Sequence, residues 1–200
     1  MTDLVHSLES LPPAPLYALI AVFAALENLF PPVPADTVVA LGAFLAGRGV
    51  LDAWGVFGLT WSANVSAGAV VYLLARRFGR PFFRGPLGQR LLSEHTLAQI
   101  EQQYHRHGTY GIFLSRLLPV WRGVVMPFAG IAGVPPVRAL VPLALASALW
   151  YGLLTYLVAV LGTNLDVVLR AVTRVNGALA VVALAAVVTL GLWIWRRLRR

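Results

Sequence analysis

Apolar residues in this chain come in long blocks of unequal length, with prolines and single charges set between them. Leu16 to Leu29 is apolar up to Glu27, the break FPPVPAD follows, and Thr37 to Gly47 is apolar again. As helices these arms rise roughly 16 to 21 Å, against a hydrocarbon core of about 30 Å. Pro31, Pro32 and Pro34 remove amide donors and forbid a continuous helix. The pattern predicts a re-entrant helical hairpin over residues 16–47, its irregular tip buried in protein, with a single kinked span as the competing reading. Residues 108–133 repeat the theme: the arms Tyr110 to Leu118 and Val124 to Gly133 flank PVWRG, which breaks the helix at Pro119 and Gly123. Three blocks are long enough to cross a bilayer, namely 54–75, 137–162 with Pro142 as its kink, and 177–195. In the first of these, Asn64, Ser66 and Gly68 form a small, polar stripe suited to close helix contact. The fold class is therefore an all-α membrane protein of two hairpins and about three full spans.

The polar stretches between the blocks carry little chemistry. Leu4, Val5, Leu8 and Leu11 recur at helical spacing, so residues 1–15 fit a short interfacial segment that Pro12, Pro13 and Pro15 end. Its acids, Asp3 and Glu9, have the wrong charge for the n-region of a signal peptide, so the segment is expected to stay in the mature protein. Residues 76–107 form a basic loop in which Ser93 can cap a surface helix with Leu97, Ile100 and Tyr104 on one face. His95, His105 and His107 lie there as well, but two histidines at i, i+2 point to different sides of a helix, which argues against a metal site.

Charge then supplies an orientation. Six arginines lie in the 76–107 loop and four in or beside the 196–200 tail, while Arg48, Arg170 and Arg174 share their compartment with Asp3, Glu9, Asp52 and Asp166. The arginine-rich sides are expected to be cytoplasmic, with the N-terminus outside and the protein in the cell's inner (plasma) membrane. One hairpin then enters from outside and the other from inside, the inverted-repeat arrangement of many transporters. A shift of 86 residues lays DTVVALGAFLAG (Asp36 to Gly47) over RGVVMPFAGIAG (Arg122 to Gly133), with five of twelve positions identical. After a two-residue slip, YLLA at Tyr72 corresponds to YLVA at Tyr156. At the two tips Asp36 stands over Arg122, acid over base.

Composition narrows the classes further. Mean hydropathy is +0.75 and only 12% of residues are charged, which identifies a membrane protein. The formal charge of +8 comes from arginines beside apolar runs, so it marks topology rather than a nucleic-acid face. Cysteine is absent, which removes disulfides, thiolate metal sites and cysteine nucleophiles. No cofactor is called for, and neither GxSxG nor HExxH occurs.

Four charges remain that an apolar setting does not explain. A charge near the bilayer centre costs roughly 3 kcal/mol on insertion scales, so Glu27, Asp36, Arg116 and Arg122 are expected to face protein, water or a ligand. Two guanidiniums beside a broken helix can hold a phosphate through charge-assisted hydrogen bonds, helped by half-helix N-termini near Asp36 and Arg122. Glu27 and Asp36, withdrawn from water, are candidates to exchange protons as carboxylates of proton-driven carriers do.

The paired segments ENLFPPVPAD and FLSRLLPVWRGVVMPFAG resemble the DedA family, whose conserved domain also occurs in VTT-type proteins that scramble lipids. The resemblance covers about Leu16 to Gly162 and puts the family's functional carboxylates on Glu27 and Asp36, and its arginines on Arg116 and Arg122. Two departures bear on proton coupling: Ala35 stands where many members have Gly, and the Glu27–Asp36 loop is shorter than in some proton-coupled members. It implies a flippase- or scramblase-type transporter of a phospholipid or of undecaprenyl phosphate, with membrane lipids and protons as partners. Alternatives are a structural membrane scaffold in which the four charges only lock the hairpins, or an intramembrane lipid-phosphate enzyme, against which the histidines lie far from both arginines. Small-residue runs such as AGIAG suit packing between hairpins and would also suit a homo-oligomer contact.

Overall fold

The computed structural model describes residues 11–30, 33–79, 81, 102, 109–118, 122–162 and 165–198, with side chains described as far as residue 185 apart from 161, 165, 166 and 183. The segment 1–10, the surface helix after Ser93, all four histidines, and Pro31, Pro32 and Pro119 lie outside the described residues.

Every regular element among the described residues is helical. In chain order these are α1 (Pro13–Leu26), α2 (Ala35–Gly47), α3 (Ala53–Leu74), α4 (109–116), α5 (Arg122–Ile131), α6 (Pro136–Leu161) and α7 (Leu165–Leu198). One π-helical turn, Ala75–Gly79, continues α3. By length and composition α3 with this turn and α6 are the two helices among the described residues that can cross a membrane.

Local chemistry sets the boundaries. Pro12 and Pro13 start α1, because a proline at the first helical position gives up an amide that has no partner there anyway. The chain leaves α1 through a tightened turn, with the amides of Asn28 and Leu29 donating to the carbonyls of Ala25 and Leu26 at 3.2 and 2.9 Å. Asp52 caps α3 by accepting the Gly55 amide at 2.6 Å, and its own amide donates to the Tyr17 hydroxyl of α1 at 2.9 Å. α2 and α5 end alike. Gly49 (φ 80) and Gly133 (φ 68) take the left-handed conformation, and the next amides, Val50 and Val134, reach back to Leu45 and Ala129 at 3.0 and 3.1 Å.

α7 begins at Leu165, well ahead of the span expected from Gly177. Val168 and Val172 recur at i, i+4 and bury against Ala40, Ala43 and Phe44 of α2, which holds this early part of α7 on the protein.

Packing places polarity in the middle and hydrocarbon outside. α1 lies on α3, α2 packs on α1, α6 and α7, and α3 packs on α5 and α6. Leu19 and Val22 of α1 and Leu145, Leu149 and Leu153 of α6 are exposed, whereas Glu27, Asn28, Asp36, Asn64, Arg116, Arg122 and Ser147 are buried. An exposed apolar surface around a buried polar centre requires lipid as the surrounding medium. The polar stripe expected on α3 is narrower than its sequence suggests. Asn64 and Gly68 share the buried face, while Ser66, 200° round the helix from Asn64, is exposed.

Candidate functional site

The two helix breaks bring all four charged candidates into one cluster. Glu27 follows the last residue of α1, Asp36 lies in the first turn of α2, Arg116 ends α4 and Arg122 begins α5. The residues are 3 to 6% exposed. Gly123 and Pro34 stand beside the cluster at the starts of α5 and α2, Gly123 buried and Pro34 exposed.

Arg122 is the hub. Its Nη1 donates to Glu27 Oε1 at 3.0 Å and to both oxygens of Asp36 at 2.9 and 3.1 Å. The guanidinium carbon lies 4.3 Å from the centroid of the Trp150 ring, a cation–π contact out of water. Asp36 is further held by Trp150 Nε1 at 2.9 Å and by Asn176 Nδ2 of α7 at 2.8 Å. Glu27 Oε2 accepts a short hydrogen bond from the Tyr151 hydroxyl of α6. One nitrogen of Arg122 thus serves two carboxylates, and its second terminal nitrogen, Nη2, is buried with no hydrogen-bond partner. The planar fork that makes arginine a phosphate binder is only half used.

Arg116 has a different environment. Its Nη2 donates to Asn64 Oδ1 at 2.7 Å and to Ser147 Oγ at 3.5 Å, and its Nη1 donates to Asn28 Oδ1 at 3.2 Å. These acceptors are all neutral, so this guanidinium keeps its full charge while its hydrogens are largely satisfied. Asn64 anchors the group, since its Nδ2 also donates to Ala24 O at 3.1 Å and to Tyr151 Oη at 3.2 Å.

The arginines also build the break that carries them. Arg116 Nη1 donates to the carbonyl of Arg122 at 3.1 Å, and Arg122 Nε donates to the carbonyl of Arg116 at 3.0 Å. The last carbonyls of a helix lack intrahelical donors, and Arg122 supplies one to Arg116 at the end of α4; the return bond from Arg116 to the first carbonyl of α5 ties the two helix ends together. The sequence sets an acidic tip against a basic one, with a gap between them to be filled. In the structure Arg122 closes that gap, and the four formal charges cancel within it.

Sequence reasoning left out Asn28, Trp150, Tyr151, Ser147 and Asn176, and took Asn64 for a packing residue. The available signal was polarity inside apolar helices: Asn28 follows Glu27, and Trp150 and Tyr151 sit mid-span in 137–162. Among the described residues no group of three or more His, Cys, Asp or Glu side chains could hold a metal.

Comparison with known proteins gives the following. The VTT domain profile matches residues 33–160. An uncharacterised membrane protein of Mycobacterium tuberculosis is 29% identical over 161 residues, 78% of this chain and 73% of that one. Undecaprenyl phosphate transporter A of Bacillus subtilis is 28% identical over 150 residues, 75% of this chain and 74% of the transporter. A membrane protein of Mycobacterium leprae is 27% identical over 114 residues, so the chain spans about half of it: 51%, against 57% of this chain. No solved structure matches.

Proposed function

The chain belongs to the VTT-domain (DedA) family of membrane proteins, and from that premise we propose that it moves a lipid phosphate or phospholipid headgroup between leaflets through the Glu27–Asp36–Arg116–Arg122 cluster. The observation that carries this reading is Arg122, buried, shared by two carboxylates and left with one unpartnered nitrogen. A phosphate, like a carboxylate, presents a pair of anionic oxygens that a guanidinium can bind through two N–H donors, and it would compete with Glu27 and Asp36 for Arg122. Protonating Glu27 and Asp36 would weaken their hold on Arg122 and leave two arginines for the anion; deprotonating them would expel it. That exchange is a route to proton coupling, with Arg116, solvated by neutral groups, as the standing positive charge.

The architecture fits alternating access. Two short helix pairs, α1–α2 and α4–α5, meet at their breaks, and α2 and α5 end in the same glycine-capped turn. In this reading they are re-entrant hairpins of an inverted repeat, the C-terminus is cytoplasmic and the protein sits in the inner membrane. A relative named undecaprenyl phosphate transporter A supports a polyprenyl phosphate as one candidate cargo.

Transbilayer movement of fluorescent phospholipid and of polyprenyl phosphate in proteoliposomes, with and without a pH gradient, tests the proposal. Wild type should move at least one of them and Arg122→Ala neither; movement of neither lipid by the wild type removes the function.

The completeness of the network favours a second reading, in which the charges only lock the helix pairs together. Exchanging the charges of a bonded pair decides between the two: Glu27→Arg with Arg122→Glu that restores both folding and full transport would leave these residues no role in carrying the anion.

A further inference from the structure

A cavity of about 430 Å³ lies between α6 and α7, within the roughly 300 to 1,000 Å³ range of small-molecule sites. Its wall is almost wholly apolar, with Leu153, Leu157, Val167 and Ala171 along its length and Trp150 and Asn176 at one end. That end is the back of the charge cluster, since both residues donate to Asp36, at 2.9 and 2.8 Å. The other end is the turn between the helices at Gly162. From Trp150 to Gly162 the helix rise gives roughly 18 Å, close to the roughly 15 Å depth of one leaflet's hydrocarbon. Leu153 and Val167 are 52% and 56% exposed, so the cavity opens sideways to the surroundings of the protein.

We propose that this cavity is a slot for one hydrocarbon chain of a membrane lipid, whose head then lies at the Trp150–Asn176 neck beside Asp36. Three independent features agree on that occupant. The wall is apolar over one leaflet's depth, the opening is lateral, and the polar end is not complete. Asn176 Oδ1 is a buried acceptor with no hydrogen-bond partner, and Arg122 Nη2, in the cluster behind it, is a buried donor with none. An amphiphile with a hydroxyl, ammonium or phosphate head supplies what those atoms lack, which a purely apolar helix from another chain does not. The slot deepens the transport reading, on which it rests only for where the head travels next; occupancy by a lipid chain stands or falls separately.

The experiment uses the full chain in vesicles of phosphatidylglycerol carrying a photoactivatable diazirine on the acyl chain, with adducts mapped by peptide mass spectrometry. Adducts should concentrate on 153–158 and 167–175 relative to the exposed α1 face at Leu19 and Val22. Ala171→Trp, which fills the slot, should lower adducts there about tenfold, equivalent to losing roughly two buried methylenes, and leave the α1 adducts unchanged. Leu157→Trp serves the same purpose if Ala171→Trp loses the wild-type α1 pattern. Equal labelling of α1 and the slot, or no change in a folded Trp variant, overturns the proposal. The chain has no cysteine, so Ala171→Cys also tests a second copy as occupant: efficient disulfide dimers at high lipid-to-protein ratio would overturn the slot in favour of an interface. A protein with a labelled slot that moves no lipid would sink the transport reading and leave the slot standing.

Discussion

Asp36 Oδ1 and Arg122 Nη1 lie 2.9 Å apart across 86 residues of chain. That separation equals the shift that lays DTVVALGAFLAG over RGVVMPFAGIAG, so the residue at the head of each segment pairs with its own counterpart. In a two-fold arrangement a position meets its equivalent only near the axis. The contact therefore marks where an axis between the halves would run, and it puts acid against base there instead of like against like.

Arg122→Gln is expected to cost about 3 to 5 kcal/mol, because Glu27 and Asp36 would remain buried together without their cation. Adding Asp36→Asn should recover part of that loss, since the pair left behind carries one charge fewer. Thermal survival of the folded fraction in detergent, followed by size-exclusion chromatography, reads both variants and the Asp36→Asn single. Strictly additive losses would show that Asp36 and Arg122 do not act on each other.

Arg116 depends on Asn64 more than its neutral partners suggest. Asn64→Leu keeps the branching of the side chain but removes the acceptor at 2.7 Å and, with it, the Nδ2 donor to Ala24 O and Tyr151 Oη, leaving a buried guanidinium short of a partner. A loss of at least roughly 2 kcal/mol is expected, the range for a single hydrogen bond to a charged group, while Ser66→Leu on the exposed face should stay within about 0.5 kcal/mol. Equal effects of the two substitutions in the same melting experiment would refute the assignment.

The charged candidates were legible because charge in an apolar run is rare: Glu27, Asp36, Arg116 and Arg122 stand out in the sequence, and the structure brings all four together. Helix breaks were legible for a related reason, since Pro34 and its neighbours cannot continue a helix. The neutral half of the cluster was hidden. Asn64, Ser147 and Tyr151 are ordinary residues for a packed span, and only the three-dimensional meeting of α3, α4 and α6 turns them into partners of Arg116 and Glu27. The start of α7 was hidden too, because Val168 and Val172 become a buried face only once α2 lies beneath them.

Thr60 offers a gain in stability. Its side chain is fully buried and its hydroxyl has no partner. Thr60→Val keeps the shape and removes an unsatisfied polar group, so a gain on the order of 1 kcal/mol is expected. A melting temperature lower than wild type would mean that the hydroxyl is bonded in the membrane.

The junction of α5 with the π-helical turn should tolerate nothing larger than glycine at position 130. A Cβ there would collide with the carbonyl oxygen of Tyr72 and approach the Arg76 amide at 2.9 Å, both backbone atoms that no rotamer change can move. The same junction is tied from the other side, because the Tyr72 hydroxyl and Arg76 Nη1 both donate to the Val134 carbonyl, at 2.5 and 2.9 Å. α5 is thus held against α3 by backbone contact at Gly130 and by two donors just past its glycine cap, which fixes where Arg122 enters the cluster at its other end. Gly130→Ala must push the helices apart, so folded yield and melting temperature should fall and lipid movement with them. Gly58→Ala on the open face of α3, with nothing within 4 Å of the added Cβ, should instead gain up to about 1 kcal/mol from helix propensity. Indistinguishable melting of the two alanine variants would show that α5 and α3 do not touch at Gly130.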